Sequence, residues 1–388
     1  MSRIVMKFGG TSVGSVERIN HVAEIVRSEV DAQNQVVVVL SAMAGETDRL
    51  VNLTKELSKD FPASEYDVVI SSGEQVSVGA LSGLLNSYGI KSKSLLGWQV
   101  PIVTSSDHKS ARIEAISSEI ILKLLGENNV VIIPGFQGIS VDGRITTLGR
   151  GGSDTSAVAI AASIDADFCD IYTDVDGVYT TDPNKVPNAK RLDKISYEEM
   201  LEMASLGAKV LQTRSVETAM NNDVFLRVLS SFSDAGKNKK GTLVCSEDSI
   251  SDKKIVTGVA ASTNDAKLTL TGIRDKPGVA AEILGILAEN NINVDMIVQN
   301  ISNDRKTTDL TYTVPKDEVD NAKELMDLLS NNLSYENLIV DSNIAKISIV
   351  GVGMRSNAGV ASQMFDVLSR NNINIDVIST SEIKISVL

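Results

Sequence analysis

Histidine and cysteine are scarce in this 388-residue chain, which has two of each. His21 and His108 stand in separate segments, so neither a histidine-based zinc site nor a Ser/His/Asp triad has the residues it needs. An ordinary surface role is the expectation for both. Cys169 and Cys245 form no CxxC pair and no Cys/His cluster, which sets aside a disulfide framework and fits a reduced, cytoplasmic setting. Long apolar runs are missing as well: no segment reaches the roughly 20 apolar residues of a membrane span, and no signal or transit peptide is evident. There is no GxxxxGK[ST] loop, no HRD and DFG set, and no strand-to-helix GxGxxG. The DVDG stretch from Asp174 faintly resembles a calcium loop, but Pro183 stands where the bidentate Glu belongs. Positive charge is also short, with 37 Lys and Arg against 50 Asp and Glu and a net charge of −13. This disfavours nucleic acid or an anionic membrane as main partner. A small anionic substrate is still allowed, because it responds to the local field of one cleft.

The length predicts two or three domains, and 43% apolar residues supply ample cores. From residue 3 to about 232, short β-branched runs alternate with amphipathic stretches. Val36–Leu40, Asp67–Ile70, Val130–Ile133, Phe168–Tyr172 and Val224–Val228 read as strands buried on both faces. Val16–Asp31, Asp48–Ser58, Gln75–Tyr88, Ala111–Gly126 and Asp154–Asp165 read as helices. The alternation predicts an α/β fold with a mostly parallel sheet covered on both sides.

Residues 233–254, rich in Ser, Asp, Lys and Gly, read as a linker. Beyond it the chain repeats itself: the segment from Lys267 through NNINVDMI corresponds to that from Lys346 through NNINIDVI. Each copy reads as strand, glycine-containing loop, helix, Asn-Asn-Ile-Asn turn and strand, which implies a duplicated small α+β domain. Thr307–Val314 and Val319–Leu329 complete the first copy with a strand and a helix, whereas the second stops at SEIKISVL without a matching helix.

Small-residue turns follow the strands of the first region: Lys7-Phe-Gly-Gly-Thr-Ser12, Ser41-Ala-Met-Ala-Gly45, Ser71-Ser-Gly-Glu-Gln75 and Pro134-Gly-Phe-Gln-Gly138. In an open parallel sheet such turns converge on one cleft outside the carboxyl ends of the strands. Any one of them could equally be a tight turn and nothing more. In TTLGRGGSDTSA, Arg150 lies among three glycines, and Ser153-Asp154-Thr155 is expected to cap a small-residue helix. Glycine-rich backbone, a helix N-terminus and a guanidinium suit a carboxylate or phosphate. Asp154 opposes such an anion, so it is expected to position Lys7 or another cation, to receive an ammonium group, or simply to cap the helix. The polar loop Tyr172–Lys190 carries Tyr179, and LGAKVLQTRS holds Lys209, either a snorkelling helix residue or a second cation for phosphates.

Taken in order, KFGGTSV, VVVVLSAMAGETD, SSGEQVS, LGRGGSD, YTDVDGVYTTDP and GAKVLQTRS resemble the aspartate kinase family. The resemblance spans essentially the whole chain. It implies an amino-acid-kinase αβα sandwich (1–245), a linker and strand contributed to the second regulatory domain (246–266), and two ACT-like, ferredoxin-like α+β domains (267–342 and 343–388). The last of these lacks its expected final helix. The implied reaction is ATP plus L-aspartate giving ADP and 4-phospho-L-aspartate, the first step of the lysine, threonine and methionine branch. By resemblance, Lys7 contacts the transferred phosphoryl group with the backbone of Gly9 and Gly10, and Asp154 orients the charged groups around the phosphates. Ser41, Thr47, Glu74, Arg150 and Ser153 hold aspartate, with Arg150 on the α-carboxylate and Glu74 near the amino group. Thr173, Asp174, Tyr179 and Lys209 lie on the nucleotide side. The position after Asp182-Pro183, often Arg in relatives, is Asn184, so one nucleotide contact of the pattern is unmatched.

The implied chemistry explains the missing histidine. A carboxylate with a pKa near ~4 is already ionised at neutral pH and needs no general base. Positioning and positive charge suffice, and Mg²⁺ would be held mainly by ATP oxygens. The family is feedback-inhibited by lysine, threonine or both. Asp275, Gly278, Ala280 and Gln299 are the implied effector contacts, while the second copy has Asn357-Ala-Gly359 in place of Pro-Gly. A homodimer or higher oligomer through the ACT domains is implied. The missing helix would leave an apolar sheet face exposed unless another segment or a partner chain covers it. A kinase for another acidic amino acid is disfavoured by the paired ACT units and SSGEQVS, and a non-catalytic amino-acid sensor by the retained Lys7, Arg150, Asp154 and Lys209.

Overall fold

The computed structural model describes residues 1–208, 210–233, 240–252, 254–301, 306–329 and 335–388. It divides into two compact units, Met1–Asp252 and Lys253–Leu388. The first unit opens with β1 (Arg3–Phe8), a 3₁₀ turn (Gly10–Val13), α1 (Val16–Asp31), β2 (Gln35–Leu40), α2 (Glu46–Leu57), α3 (Ala63–Ile70) and α4 (Ser72–Ser87). Next come β3 (Ser92–Ser94), β4 (Ile102–Thr104), β5 (Ile113–Ile116), α5 (Glu119–Gly126), β6 (Val130–Pro134), β7 (Gln137–Ser140) and β8 (Ile145–Thr147). It closes with α6 (Gly152–Ser163), β9 (Phe168–Thr173), β10 (Lys194–Ser196), α7 (Tyr197–Ser205), α8 (Thr213–Asn221), β11 (Leu226–Ser230) and β12 (Thr242–Cys245).

Eight strands form the main sheet in the order β10-β12-β11-β9-β1-β2-β6-β3. Only the β11–β12 pair is antiparallel. Val36 to Leu40 are all buried, as a parallel strand covered on both faces requires. Val22, Ala23 and Val26 of α1 and Val78, Leu81 and Leu85 of α4 join the core beside Met6, Phe8, Val38 and Leu40. Each such side chain contributes ~1.5–3 kcal/mol by leaving water.

Three local expectations are corrected. Asp67–Ile70 is the last turn of α3 rather than a strand, so the SSGEQ segment is a helix-to-helix junction and not a turn after a strand. Ala111–Gly126 is helical only from Glu119; its first half carries β5, in a second sheet of order β5-β4-β7-β8. The supposed linker contains β12, paired in the main sheet, and Lys194 Nζ donates to Ser249 O at 3.0 Å, so the first unit runs on to Asp252. Separately, and contrary to the expectation that no segment is, the helical stretch Ala63–Ser87 is long and apolar enough to cross a membrane by length and composition only. Its buried Ile70, Val78, Leu81 and Leu85 make it a core helix here.

The second unit contains β13 (Gly258–Ser262), β14 (Asp265–Arg274), α9 (Val279–Glu289), β15 (Ile297–Ile301), β16 (Thr307–Pro315), α10 (Val319–Leu329) and β17 (Asn337–Asp341). β18 (Lys346–Val350), α11 (Val360–Arg370), β19 (Ile378–Thr380) and β20 (Lys384–Val387) follow. Its two sheets run β15-β16-β14-β17 and β13-β18-β20-β19, so the strand preceding the first repeat completes the sheet of the second. The copies agree in backbone as well as in sequence. Gly278 and Gly359 precede their helices at φ 98° and 92°, and Asn291 and Asn372 take φ 59° and 53° in the equivalent turns. Reciprocal ion pairs join the repeats: Lys267 to Asp376 and its counterpart Lys346 to Asp295, each at 2.5 Å. In the sheet that lacks the matching helix, Ile385, Ser386 and Val387 of β20 are buried, whereas Ile378 of β19 is exposed.

Candidate active site

Lys7 lies in the central strand of the main sheet, between Val39 of β2 and Ile171 of β9. Its Nζ sits 2.5 Å from Asp154 Oδ1, both side chains being largely buried. Asp154 therefore orients the lysine and does not cap its helix: α6 begins at Gly152, and Gly151, at φ 73°, occupies the N-cap without a side-chain hydrogen bond. After β1 the chain enters the 3₁₀ turn, whose first amides, Gly10 and Thr11, have no acceptor within the turn. The Gly9 amide differs, because it donates to Tyr172 O at 3.4 Å. Gly10 is needed for close approach, since a Cβ there would stand 3.0 Å from Ala42 O.

The turn after β2 is fastened to α4. Glu74 is buried, and its Oε1 accepts the Ala42 amide at 3.2 Å. Its Oε2 is also buried and has no hydrogen-bond partner among the described residues. Burial pushes the Glu74 carboxyl up to about 7, against the opposing pull of the Glu74 and Ala42 amides. Ser41 donates its amide to Phe8 O at 3.1 Å, which joins the exits of the first two strands. Thr47 is on the first turn of α2, beside Glu46, whose Cγ lies against Gly73 of α4.

Gly135, after β6, lies close against the start of α6: a Cβ there would lie 2.7 Å from Ser153 Cβ and 2.8 Å from Ser153 Cα. Backbone blocks the substituent, so Gly135→Ala must displace the helix end carrying Ser153 and Asp154. A loss of about 1–3 kcal/mol is expected, read as a lowered denaturant midpoint; an unchanged midpoint contradicts the contact. Arg150 lies between Gly149 and Gly151, at φ 75° and 73°. It is exposed and forms no ion pair among the described residues.

At the end of β9, Thr173 Oγ1 donates to Asp174 Oδ1 at 3.1 Å, and Asp174 is exposed. Tyr179 donates to Asp176 Oδ1 at 2.9 Å, which raises its pKa, and Arg191 pairs with the same carboxylate at 3.0 Å. Asn184 donates its amide to Asp182 Oδ1 at 2.9 Å. Lys209 lies outside the described residues. In the second unit, Asp275 and Gln299 are exposed, Gly278 caps α9, and Ala280 is half-buried in its first turn.

Some residues of this region were not singled out from the sequence. Ser12 donates to Ser231 Oγ at 2.7 Å, and Ser231 to Thr173 O at 3.1 Å, tying the first turn to the end of β9. His108 is not an ordinary surface residue: its Nδ1 lies 2.7 Å from Oδ2 of the fully buried Asp67. His21, by contrast, stays near the surface, 3.0 Å from Ser233 O.

Glycine-containing turns along the carboxyl edge of a mostly parallel sheet, with a largely buried lysine–aspartate pair and no P-loop motif, point to an amino acid kinase. The Amino acid kinase family profile matches residues 2–230, and ACT domain profiles match 268–331 and 347–388. The chain is 52% identical over 389 residues to an aspartate kinase of Pseudomonas putida, covering 100% of this chain and 93% of that one. It is also similar to E. coli aspartokinase III solved with aspartate and ADP in the R-state, at TM-score 0.81 and 29% identity, covering 99% of this chain and 95% of that one. The T-state of that enzyme, solved with lysine and aspartate, gives TM-score 0.79 at 29% identity over the same shares. The chain belongs to the aspartate kinase family and is a phosphotransferase.

Proposed function

We propose that the chain transfers the γ-phosphoryl group of ATP to the β-carboxylate of L-aspartate, opening the branch to lysine, threonine and methionine. The observation that carries this reading is Glu74, a buried carboxylate with one oxygen unpartnered, on the same strand-exit edge as the Lys7–Asp154 pair. Glu74 Oε2 receives the substrate ammonium and Arg150 its α-carboxylate, with Ser41, Thr47 and Ser153 around them. The β-carboxylate then attacks in line, while Lys7 and the Gly10 amide neutralise charge gathering on the transferred group. Thr173, Asp174 and Tyr179 face the nucleotide, and the sequence resemblance assigns Lys209 to the same role. Among the described residues no three His, Cys, Asp or Glu side chains cluster as a metal cage. Mg²⁺ carried on the ATP oxygens would supply further positive charge.

Lysine, threonine or both act as feedback effectors at Asp275, Gly278, Ala280 and Gln299. Edge strand β15 exposes Ile297 and Ile301, which supports pairing of ACT units between two copies. Two buried, unpaired thiols support a cytoplasmic setting. Trapping the acyl phosphate as a hydroxamate with ATP, Mg²⁺ and a panel of acidic amino acids tests the central claim. Aspartate is expected to give product and glutamate and N-acetylglutamate little; no product with aspartate sinks it.

A further inference from the structure

Asp67 is a fully buried carboxylate on α3 with no part in the scheme above. Burying such a charge is costly unless donors surround it. Three do, and they come from two other segments. Thr147 Oγ1 donates to Oδ1 at 2.7 Å, His108 Nδ1 lies 2.7 Å from Oδ2, and the Lys109 amide reaches both oxygens at 3.1 and 3.2 Å. The two segments are also joined to each other, since Ala111 donates its amide to Thr147 O at 2.9 Å.

Both segments lead to Arg150. Thr147 ends β8, shortly before the Gly149-Arg150-Gly151 turn, and Lys109 O packs under Gly149, where a Cβ would stand 3.0 Å away. Lys109 holds φ 70°, a left-handed conformation costing roughly 1–3 kcal/mol in a non-glycine residue, which its amide bonds to Asp67 offset. Arg150, flanked by left-handed glycines, makes no hydrogen bond or ion pair among the described residues, so its placement rests on this platform. Asp67 itself sits on the helix that leads directly into α4 and Glu74.

We propose that Asp67, with His108 and Thr147, is a positioning residue that sets the separation between the two poles of the amino-acid site, Glu74 for the ammonium and Arg150 for the α-carboxylate. It touches neither substrate nor phosphate. The proposal rests on the assignment of Arg150 to the α-carboxylate. It therefore requires the cluster to govern aspartate binding while leaving the nucleotide and the transfer step alone.

Steady-state kinetics of His108→Ala, His108→Asn, Thr147→Val and Arg150→Ala in the full chain test it. His108→Ala and Thr147→Val are expected to raise KM for aspartate roughly tenfold, the scale of one charge-assisted hydrogen bond, with kcat and KM for ATP within about twofold of the parent. His108→Asn, which keeps an N–H near the Nδ1 position, should restore most of the affinity. Thermal melts show whether each variant remains folded. The proposal is overturned if both variants leave KM for aspartate unchanged, if kcat and both KM values move together, or if Asn rescues nothing. Should Arg150→Ala leave KM for aspartate unchanged, the Arg150 assignment fails and takes the proposal with it. If Arg150→Ala raises that KM while His108→Ala and Thr147→Val do not, the positioning role alone fails.

Discussion

Replacing Lys7 with methionine is expected to lower kcat by about a thousandfold, the scale of removing a preorganised group that meets charge developing in the transition state. Lys7 is held at 2.5 Å from Asp154 and stands in the central strand of the sheet, so its ammonium needs little rearrangement during transfer. The same substitution strips Asp154 of its partner in a largely buried place, which costs roughly 3–5 kcal/mol of stability. Stability and chemistry must therefore be separated. In Lys7→Met combined with Asp154→Asn, no orphaned charge remains, so the melting temperature should recover while kcat stays low. The measurements are kcat at saturating substrates and a thermal melt of each variant. A single variant with near-normal kcat removes Lys7 from the mechanism; a double variant that regains activity shows that the loss came from misfolding.

The parallel sheet was legible because burial on both faces leaves an unbroken β-branched run, as in Val36–Leu40. Asp67–Ile70 looks the same and is helical, since four apolar residues cannot distinguish a buried strand from one turn of a buried helix. The flanking Ala63-Ser-Glu and Ser72-Gly-Glu segments, which continue as helix, carried the missing signal. In the site, Lys7, Gly10, Ser153 and Asp154 stood out because glycine-rich turns after strands are local features. The contacts between those turns are not local. Asp67 and His108 are 41 residues apart, and Ser12 and Ser231 are 219 apart. Nothing in either short segment announces its partner.

Glu74 gives the site a pH dependence whose direction follows from burial. Its carboxyl is raised from 4.5 to about 7, so the folded, ligand-free chain binds a proton there more tightly than the unfolded chain does. Its contribution thus favours folding below pH ~4.5, declines as pH rises toward ~7, and is level beyond. Glu74→Gln keeps the shape and the acceptor for the Ala42 amide but removes the charge. That variant should be more stable than the parent at pH 8, by up to about 3 kcal/mol at roughly 1.4 kcal/mol per pKa unit, and no more stable near pH 4.5. Substrate binding responds in the opposite sense. An ammonium group at Oε2 requires the ionised carboxylate, so KM for aspartate should rise almost tenfold per pH unit as the pH falls below ~7. In Glu74→Gln the same KM should be about 10–100-fold higher than the parent at pH 8, the scale of a lost hydrogen bond to a charged group, and flat from pH ~6 to ~8. A parent KM that is flat over that range would separate the raised pKa from recognition of aspartate, and Glu74 would then act only through its bond to the Ala42 turn.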